Sequence, residues 1–547
     1  MSDRPRRHHT PLISYASRKI RCWSAAVRRL DPDLAALRAT AVTLAATLTA
    51  YGSASLLEHT ARLHVDILIQ AVALTLTLSR TGPGADSADR IITLAALPPL
   101  ALAAAETSRL MSEHPAAGDA MFTVLLSTTI AVRRFGPRAT RAGTLAVLPL
   151  IAVLVGQVPG VPPPGRDQDL WAAIVALTAA FWALTARWAA NRTGFTRPAA
   201  AAYTPPAAAR APGRRPSAST RMSLQMAGAV GAAFLVGHLA FAEHWTWVVL
   251  TAFVVCSGAR GRADVLHKGV LRTAGAAAGT VAATVTAGAF GPRDARAIIV
   301  IFVVLAAATW LRHFGYAYWA GCVTAVLALL YGYFGQSAAD LLATRLTAIL
   351  LGAVLGVTAS WLILPIRSVD VLRRRTADAL AVLGDFLAAA RRDPGRLADD
   401  QVRFDGAVRR LEQIAGPLRA HRGLRRTVRG RGCPARSHPA DAIDTVRRFA
   451  EPVRAIARCA AEHRAVLAAP DILRLNAAVT ADLTRARRAV GRRPTGQGTA
   501  SLGAPAPTTP ACPADRVRAA LIELDAALRN LERIFTGPTN ASWANRR

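Results

Sequence analysis

Among the ionisable residues inside or beside the long apolar stretches of this 547-residue chain, six are candidates for a pathway: Asp66, His238, Glu243, His244, Asp340 and Arg345. A charge at mid-bilayer costs about 2.5–3.5 kcal/mol on insertion scales, so it needs a partner or a wet cavity. Imidazoles change charge near neutral pH, and a guanidinium binds carboxylates. These residue types predict a pathway for an anion, for a proton, or for both.

Each of these residues also has a structural interpretation. Arg345 could face a cavity and pair with an anion or with Asp340, or it could extend to the membrane interface. His238 could titrate during a transport cycle or simply contact a neighbouring helix. Asp66 could bind a coupling proton or cap its helix.

Four basic residues are predicted to lie at the opposite, cytoplasmic ends of the apolar stretches: Arg260, Lys268, Arg272 and Arg312. Together they would form a cationic vestibule that concentrates cytosolic anions. The tendency of cytoplasmic loops to be basic explains the same charges without any ligand.

Two pairs of glycines have the spacing of close helix packing. Gly275 and Gly279 form one Gly-x-x-x-Gly step, and Gly352 and Gly356 form another. Small residues at i and i+4 let two helices approach closely in a membrane. We therefore predict helix–helix contacts at both steps.

The elements that must position these residues follow from composition. The chain is 52% hydrophobic and only 18% charged, and its apolar runs are confined to residues 37–365. This distribution excludes a soluble enzyme, a secreted disulfide scaffold and a disordered chain. The six cysteines form no C-x-x-C pair, so neither a disulfide framework nor a metal site is predicted.

A helix needs about 20 residues to cross a bilayer, with a range of about 17–25. The hydropathy pattern predicts twelve spans, several of them short: 37–57, 63–79, 91–107, 119–132, 142–158, 169–187, 222–242, 244–258, 271–290, 295–311, 315–335 and 341–365. Basic residues concentrate in alternate loops, which predicts that both termini are cytoplasmic.

The spans divide into two sets of six. Residues 133–151 align with residues 312–330 and share an Arg-x-Phe-Gly sequence before a span. Both copies precede the fifth span of their set and lie on the same side, so the repeat is parallel. The fold prediction is therefore all-α: about twelve membrane helices in two parallel six-helix repeats, followed by a cytoplasmic helical bundle.

Five segments follow from this division. Residues 1–36 are a basic cytoplasmic segment that could hold an interfacial helix. The first repeat occupies 37–190, a flexible cytoplasmic linker 191–221, and the second repeat 222–366. Apolar stripes at 3-4 spacing predict a bundle of five amphipathic helices over 367–547.

The second repeat has a recognisable order of motifs. HWTWVVLTAFVVCSG at 244–258 is followed by Arg272-x-x-Gly275-x-x-x-Gly279-Thr280, then by YAYWAGCVTAVLALL at 316–330 and by Arg345 seven residues before Gly352-Ala353. This order resembles the FUSC superfamily of fusaric-acid-resistance-like and aromatic-acid-exporter proteins, to which plant malate transporters are related. The family's usual Arg-x-x-Gly-Thr is here Arg-x-x-Gly-Ala, with Ala276 in place of the threonine.

The resemblance implies a transporter of the bacterial inner membrane that exports small, often aromatic, organic anions and needs no cofactor. We expect the proton gradient to drive it, because the sequence contains no phosphate-binding loop. A passive anion channel and a membrane scaffold that recruits a partner are the alternatives. Catalytic motifs are absent from the sequence, so an enzyme is not expected. The predicted partners are lipid and an organic anion, not nucleic acid; whether the chain forms a homodimer is left open.

Overall fold

The computed structural model describes residue 31 and residues 33–61, 66–81, 87–157, 169–196, 216–241, 243–287, 290–335, 340–429, 437–492 and 512–537. Within these ranges the chain is helical and contains no strand. Most of the predicted basic segment 1–36 and the centre of the linker 191–221 lie outside the described residues.

Twelve helices precede residue 363 in the described ranges. They are α1 (Ala35–Ala61), α2 (Asp66–Thr81), α3 (Ser87–Glu113), α4 (Pro115–Ala131), α5 (Pro137–Gly156), α6 (Asp169–Arg192), α7 (Ala218–Ala240), α8 (Trp245–Cys256), α9 (Arg262–Ala287), α10 (Ala295–Leu311), α11 (Tyr316–Tyr333) and α12 (Asp340–Leu362). Each predicted span overlaps one of them.

Eight of these helices contain segments long and apolar enough to cross a membrane. The apolar segments of α2, α8 and α10 are shorter, and α9 belongs to neither group. An all-helical, multi-pass membrane protein is therefore confirmed, while the count of twelve crossings stays a prediction.

Two helices of the second half depart from the predicted boundaries. The 12 residues of α8 extend about 18 Å, well short of a hydrocarbon core of about 30 Å. Gly258, with φ of 61°, then allows a sharp turn. Helix α9 begins at Arg262, earlier than the predicted span 271–290. Its first two turns are helical but polar, so the hydropathy pattern did not include them.

The described residues group into two compact units. One contains those of 1–200, 217–257 and 268–359, and the other contains those of 258–267 and 360–547. Two aromatic pairs join the halves of the first unit edge to face: Phe122 of α4 meets Phe234 of α7 at 5.7 Å, and Phe302 of α10 meets Tyr51 of α1 at 5.1 Å between ring centroids.

These two pairs occupy equivalent helix positions. Phe122 and Phe302 are each the eighth residue of their helices, and Tyr51 and Phe234 are each the seventeenth. In the predicted repeat, the fourth helix of each half thus contacts the first helix of the other half.

In the described ranges, seven further α-helices form the second unit's core. They are α13 (Ser368–Arg392), α14 (Leu397–Glu412), α15 (Ala415–Arg429), α16 (Pro439–Arg448), α17 (Ala450–Glu462), α18 (Pro470–Val490) and α19 (Pro513–Thr536). Their inward faces bury large side chains such as Phe386, Phe404 and Phe449.

The prediction of five bundle helices was wrong, because two of the stripes are interrupted by proline. Pro417 and Pro452 have no N–H for the carbonyl groups four residues earlier. The helices accordingly stop at Glu412 and Arg448 and restart at Ala415 and Ala450.

Candidate functional site

Helix α12 buries the guanidinium of Arg345 between two aromatic rings. Arg345 is 5% exposed. Its guanidinium carbon lies 4.6 Å from the ring centroid of Trp247 on α8 and 5.2 Å from that of Tyr331 on α11. Three helices thus contribute to one cationic site, which we call the Arg345 cage: Arg345, Trp247 and Tyr331.

The two aromatic rings of the cage contact each other. Trp247 Nε1 donates to Tyr331 Oη over 3.3 Å, and the rings meet at 83°. Both side chains are buried. Cation–π attraction contributes about 2 kcal/mol when desolvated, so the cage orients Arg345 while leaving its positive charge unneutralised.

The predicted partner Asp340 is the first residue of α12, and its side chain lies outside the described residues. Among the side chains that are described, no carboxylate forms an ion pair with Arg345. A buried, unneutralised guanidinium favours the approach of an anion, because that anion restores the interactions lost from water.

His244 adds a polar atom beside the same tryptophan. It precedes α8 as the N-cap residue, and its ring lies 4.5 Å from that of Trp247 between centroids. Its Nε2 is buried without a hydrogen-bond partner among the described residues. Glu243, by contrast, is exposed in the preceding turn.

His238 contacts an acid that the sequence analysis did not select. Its Nε2 lies 2.8 Å from Oδ2 of Asp119, and the contact joins α7 to α4. The ring of Trp245 lies 4.8 Å from the imidazole. Asp119 is the first residue of the predicted span 119–132. An acidic residue at the start of a span is the sequence feature that could have identified it as a candidate.

Asp66 is the first residue of α2, and its side chain lies outside the described residues. Its interpretation as a proton-binding carboxylate stays a prediction.

The four predicted vestibule residues have different surroundings. Arg272 is only 4% exposed; its Nη1 donates to Ala320 O over 3.3 Å and to Thr324 Oγ1 over 3.2 Å, both on α11. Arg272 is therefore buried between helices rather than facing open solvent, which corrects its predicted setting. Nothing in the sequence indicated this burial, because Arg272 lies near the start of the predicted span 271–290 rather than at its apolar centre.

The other three bases contact backbone or end a helix. Lys268 Nζ donates to Ser257 O over 2.9 Å, and Arg312 is the half-buried C-cap of α10. Arg260, in the second unit, donates from Nη1 to Gln413 O over 3.3 Å.

The glycine pairs lie where backbones approach closely. A Cβ at Gly275 would collide with Ala317 O, and one at Gly279 would collide with Gly321 O on α11. A Cβ at Gly352 would collide with Val248 O on α8. Gly356 is less crowded, since its Cβ would lie 3.3 Å from Cys256 Sγ.

These contacts place the Arg345 cage in a packed region. The α9–α11 approach at Gly279 and the α8–α12 approach at Gly352 hold the three helices that contribute the cage. In the part of the chain that is described, no three His, Cys, Asp or Glu side chains form a group that could hold a metal ion.

Comparison with known families supports the resemblance drawn from the motifs. Residues 227–359 match the family model described as fusaric acid resistance protein-like. The match covers the Arg345 cage, His238, His244 and all four glycines. No curated protein matches the chain.

Proposed function

We propose, from the fusaric acid resistance protein-like domain at residues 227–359, that this multi-pass membrane protein exports small organic anions. The proposed substrates are often aromatic carboxylates, and the proposed driving force is the proton gradient across a bacterial inner membrane. Both termini would lie in the cytoplasm, as the basic alternate loops favour.

The observation on which this proposal depends is the Arg345 cage. An arginine that is 5% exposed and lacks a described acidic partner is costly to keep in a membrane protein. Such a cost is commonly associated with function at intramembrane sites. An anionic substrate would supply the missing negative charge.

The surroundings of the cage favour an anion with an apolar body. Trp247 and Tyr331 belong to a buried cluster that includes Val248 and Ala348. A carboxylate would pair with Arg345, and an aromatic ring would contact the apolar side chains of this cluster. His244 Nε2, which has no described partner, offers a further hydrogen bond.

His238 and Asp119 are the proposed proton-binding pair. A histidine and a carboxylate in contact can hold a proton between them, and this pair connects the two halves of the first unit. Binding a proton there would change the contact between α4 and α7, which an alternating-access cycle must remake.

The equivalent aromatic pairs support the two-repeat architecture. In both pairs, the fourth helix of one half contacts the first helix of the other half: Phe122 meets Phe234, and Phe302 meets Tyr51. Parallel repeats of this kind commonly have a substrate pathway between them.

The test is efflux of a panel of aromatic carboxylates from cells expressing wild type, Arg345→Ala or Arg345→Lys, with and without an uncoupler. We expect Arg345→Ala to lose about thirtyfold or more in transport, since removing one side of a buried charge pair costs about 2 kcal/mol or more. Arg345→Lys should be partly active. Arg296→Gln is the matched control, because Arg296 is exposed and paired with Asp294.

Three outcomes would contradict the proposal. Transport that follows voltage and ignores the uncoupler would indicate a passive channel. Absence of efflux of every acid from well-expressed wild type would favour a scaffold. Normal efflux by Arg345→Ala would remove the cage from the pathway.

A further inference from the structure

The Arg-x-Phe-Gly sequence that recurs in the two predicted repeats forms a tight turn in both places. Residues 133–136 join α4 to α5, and residues 312–315 join α10 to α11. Both turns belong to the first compact unit. The proposed transport site uses neither turn, so the recurrence needs a separate explanation.

The flanking helices place both turns at a membrane surface. The apolar segment Pro115–Phe135 ends in the first turn, and the segment Pro137–Val155 begins directly after it. The second turn lies between the shorter apolar helix Ala295–Leu311 and the segment Tyr316–Tyr333. Since irregular backbone is not tolerated against lipid chains, a short turn between two such segments lies at the level of the headgroups.

Each turn holds one arginine partly inside the protein without an acidic partner. Arg133 and Arg312 are half-buried, and Nε of Arg133 is buried with no hydrogen-bond partner among the described residues. No Asp or Glu occurs in residues 120–166 or 295–339, and Asp119 lies at the other end of α4. Helix α7, which packs against the first turn, contains no acid either.

The general excess of bases in cytoplasmic loops accounts for the charge of these arginines but not for their burial. An arginine that only faced water would extend its guanidinium fully into the solvent. A half-buried guanidinium with an unmet hydrogen bond instead favours an anion that approaches from the membrane surface, because a phosphate accepts several hydrogen bonds from one arginine.

Aromatic side chains accompany both arginines. Phe135 is 68% exposed, and the guanidinium carbon of the exposed Arg134 lies 4.6 Å from its ring centroid. Charge and apolar surface therefore occur on the same side of the first turn. In the second turn, the ring of Phe314 meets that of Trp310 edge to face at 5.3 Å between centroids. A phospholipid has the matching arrangement, with a phosphate group directly above apolar chains.

We propose that each of the two turns binds the phosphate group of an anionic phospholipid. Arg133 in the first turn and Arg312 in the second donate to phosphate oxygens, and Phe135 lies against the acyl chains below the headgroup. Basic pockets between membrane helices bind anionic headgroups in this way. The binding does not depend on which molecule is transported.

The experiment is native mass spectrometry of the full-length protein in detergent, with phosphatidylglycerol or phosphatidylcholine added at equal concentration. We expect two molecules of phosphatidylglycerol to stay bound to each chain under conditions that remove phosphatidylcholine. Arg133→Gln and Arg312→Gln should each lose one of the two, with about tenfold weaker binding at the altered turn, because hydrogen bonds to charged groups contribute that much or more. The double variant should lose both.

Arg138→Gln is the matched control, because Arg138 is an exposed arginine just after the first turn. This change removes the same charge from the same loop and should leave both lipids bound. Phe135→Ala, at an exposed position, keeps every charge and should weaken binding at the first turn alone. Arg133→Lys should bind in part, since lysine keeps the charge but not the forked donors. Thermal unfolding without lipid checks that each variant is folded.

The proposal fails if Arg138→Gln loses as much lipid as Arg133→Gln, because a general attraction between basic loops and anionic lipid would then explain the binding. It also fails if the two phospholipids bind equally, or if either single variant loses both lipids. Inorganic phosphate provides the remaining comparison. If it binds as tightly as phosphatidylglycerol and is lost in the same variants, the turns are sites for a free anion instead.

Discussion

The imidazole Nε2 of His238 lies 2.8 Å from Oδ2 of Asp119, and this contact connects the predicted first repeat to the second. It lies beside the Phe122–Phe234 pair, which joins the same two helices. A proton on this pair and the packing of α4 against α7 are thus physically linked.

Asp119→Asn keeps an oxygen that can accept from His238 but removes the negative charge. We expect transport that no longer responds to the uncoupler, with at least about tenfold less substrate accumulation outside the cell, since coupling between sites is typically about 1–3 kcal/mol. Efflux from matched expression levels measures this. Asp294→Asn, which changes the acid that caps α10 and keeps a capping oxygen, is the control. Unchanged coupling in Asp119→Asn would exclude the pair.

Gly279→Ala adds a methyl group that would collide with Gly321 O. Overpacking of a tight contact costs about 1–3 kcal/mol, so we expect a lower thermal unfolding temperature of the full-length protein in nanodiscs. Gly231→Ala on α7 meets nothing within 4 Å and should be neutral. Equal stability of both variants would show that the α9–α11 approach can relax without cost.

His438 makes the bundle sensitive to acid. Its Nδ1 accepts from Ala440 N over 3.1 Å at the start of α16. Burial, followed by the neighbouring His421, lowers the pKa of His438 to about 4. Because the folded state resists protonation, this contribution to stability is complete above about pH 6.5 and is lost as pH falls towards 4.

We therefore expect the bundle to lose about 2 kcal/mol from this group between pH 7.5 and pH 5. His438→Asn retains an N-cap acceptor but does not titrate, so its unfolding should depend less on pH over that interval. Thermal unfolding of the full-length protein measures the difference. His463→Asn, at an exposed site, should keep the wild-type pH dependence; the same slope in His438→Asn would contradict the assignment.

Asp525 makes the bundle sensitive to base. Burial and the adjacent Asp482 raise the pKa of Asp525 to about 6, although Arg529 contacts both carboxylates. A raised pKa means that this contribution to stability is present below the ordinary pKa near 4 and is lost as pH rises through about 6.

Asp525→Asn should accordingly stabilise the protein at pH 8, by about 1–2 kcal/mol, and should have little effect at pH 4. Unfolding measured at the two pH values tests both parts. Glu523→Gln changes an exposed carboxyl of the same helix and should be neutral at both. A destabilised Asp525→Asn at pH 8 would mean that the ionised form is preferred.

Hydropathy and periodicity predicted a helix at each of the twelve positions before residue 363 in the described ranges, because burial in lipid demands long apolar segments with internally satisfied backbones. They did not predict the breaks before Ala415 and Ala450, since an apolar stripe continues through a proline while the hydrogen-bonding pattern does not.

The sequence by itself determined which residue types could handle charge in the membrane, because a lone Arg345 or His238 is conspicuous among apolar neighbours. Only the tertiary structure decided their partners. Trp247, Tyr331 and Asp119 are each far from them in sequence, and the apolar pattern of a helix specifies its buried face but not which helix covers that face. The close backbone approach at Gly352 holds α8 against α12, and it thereby places Trp247 next to Arg345.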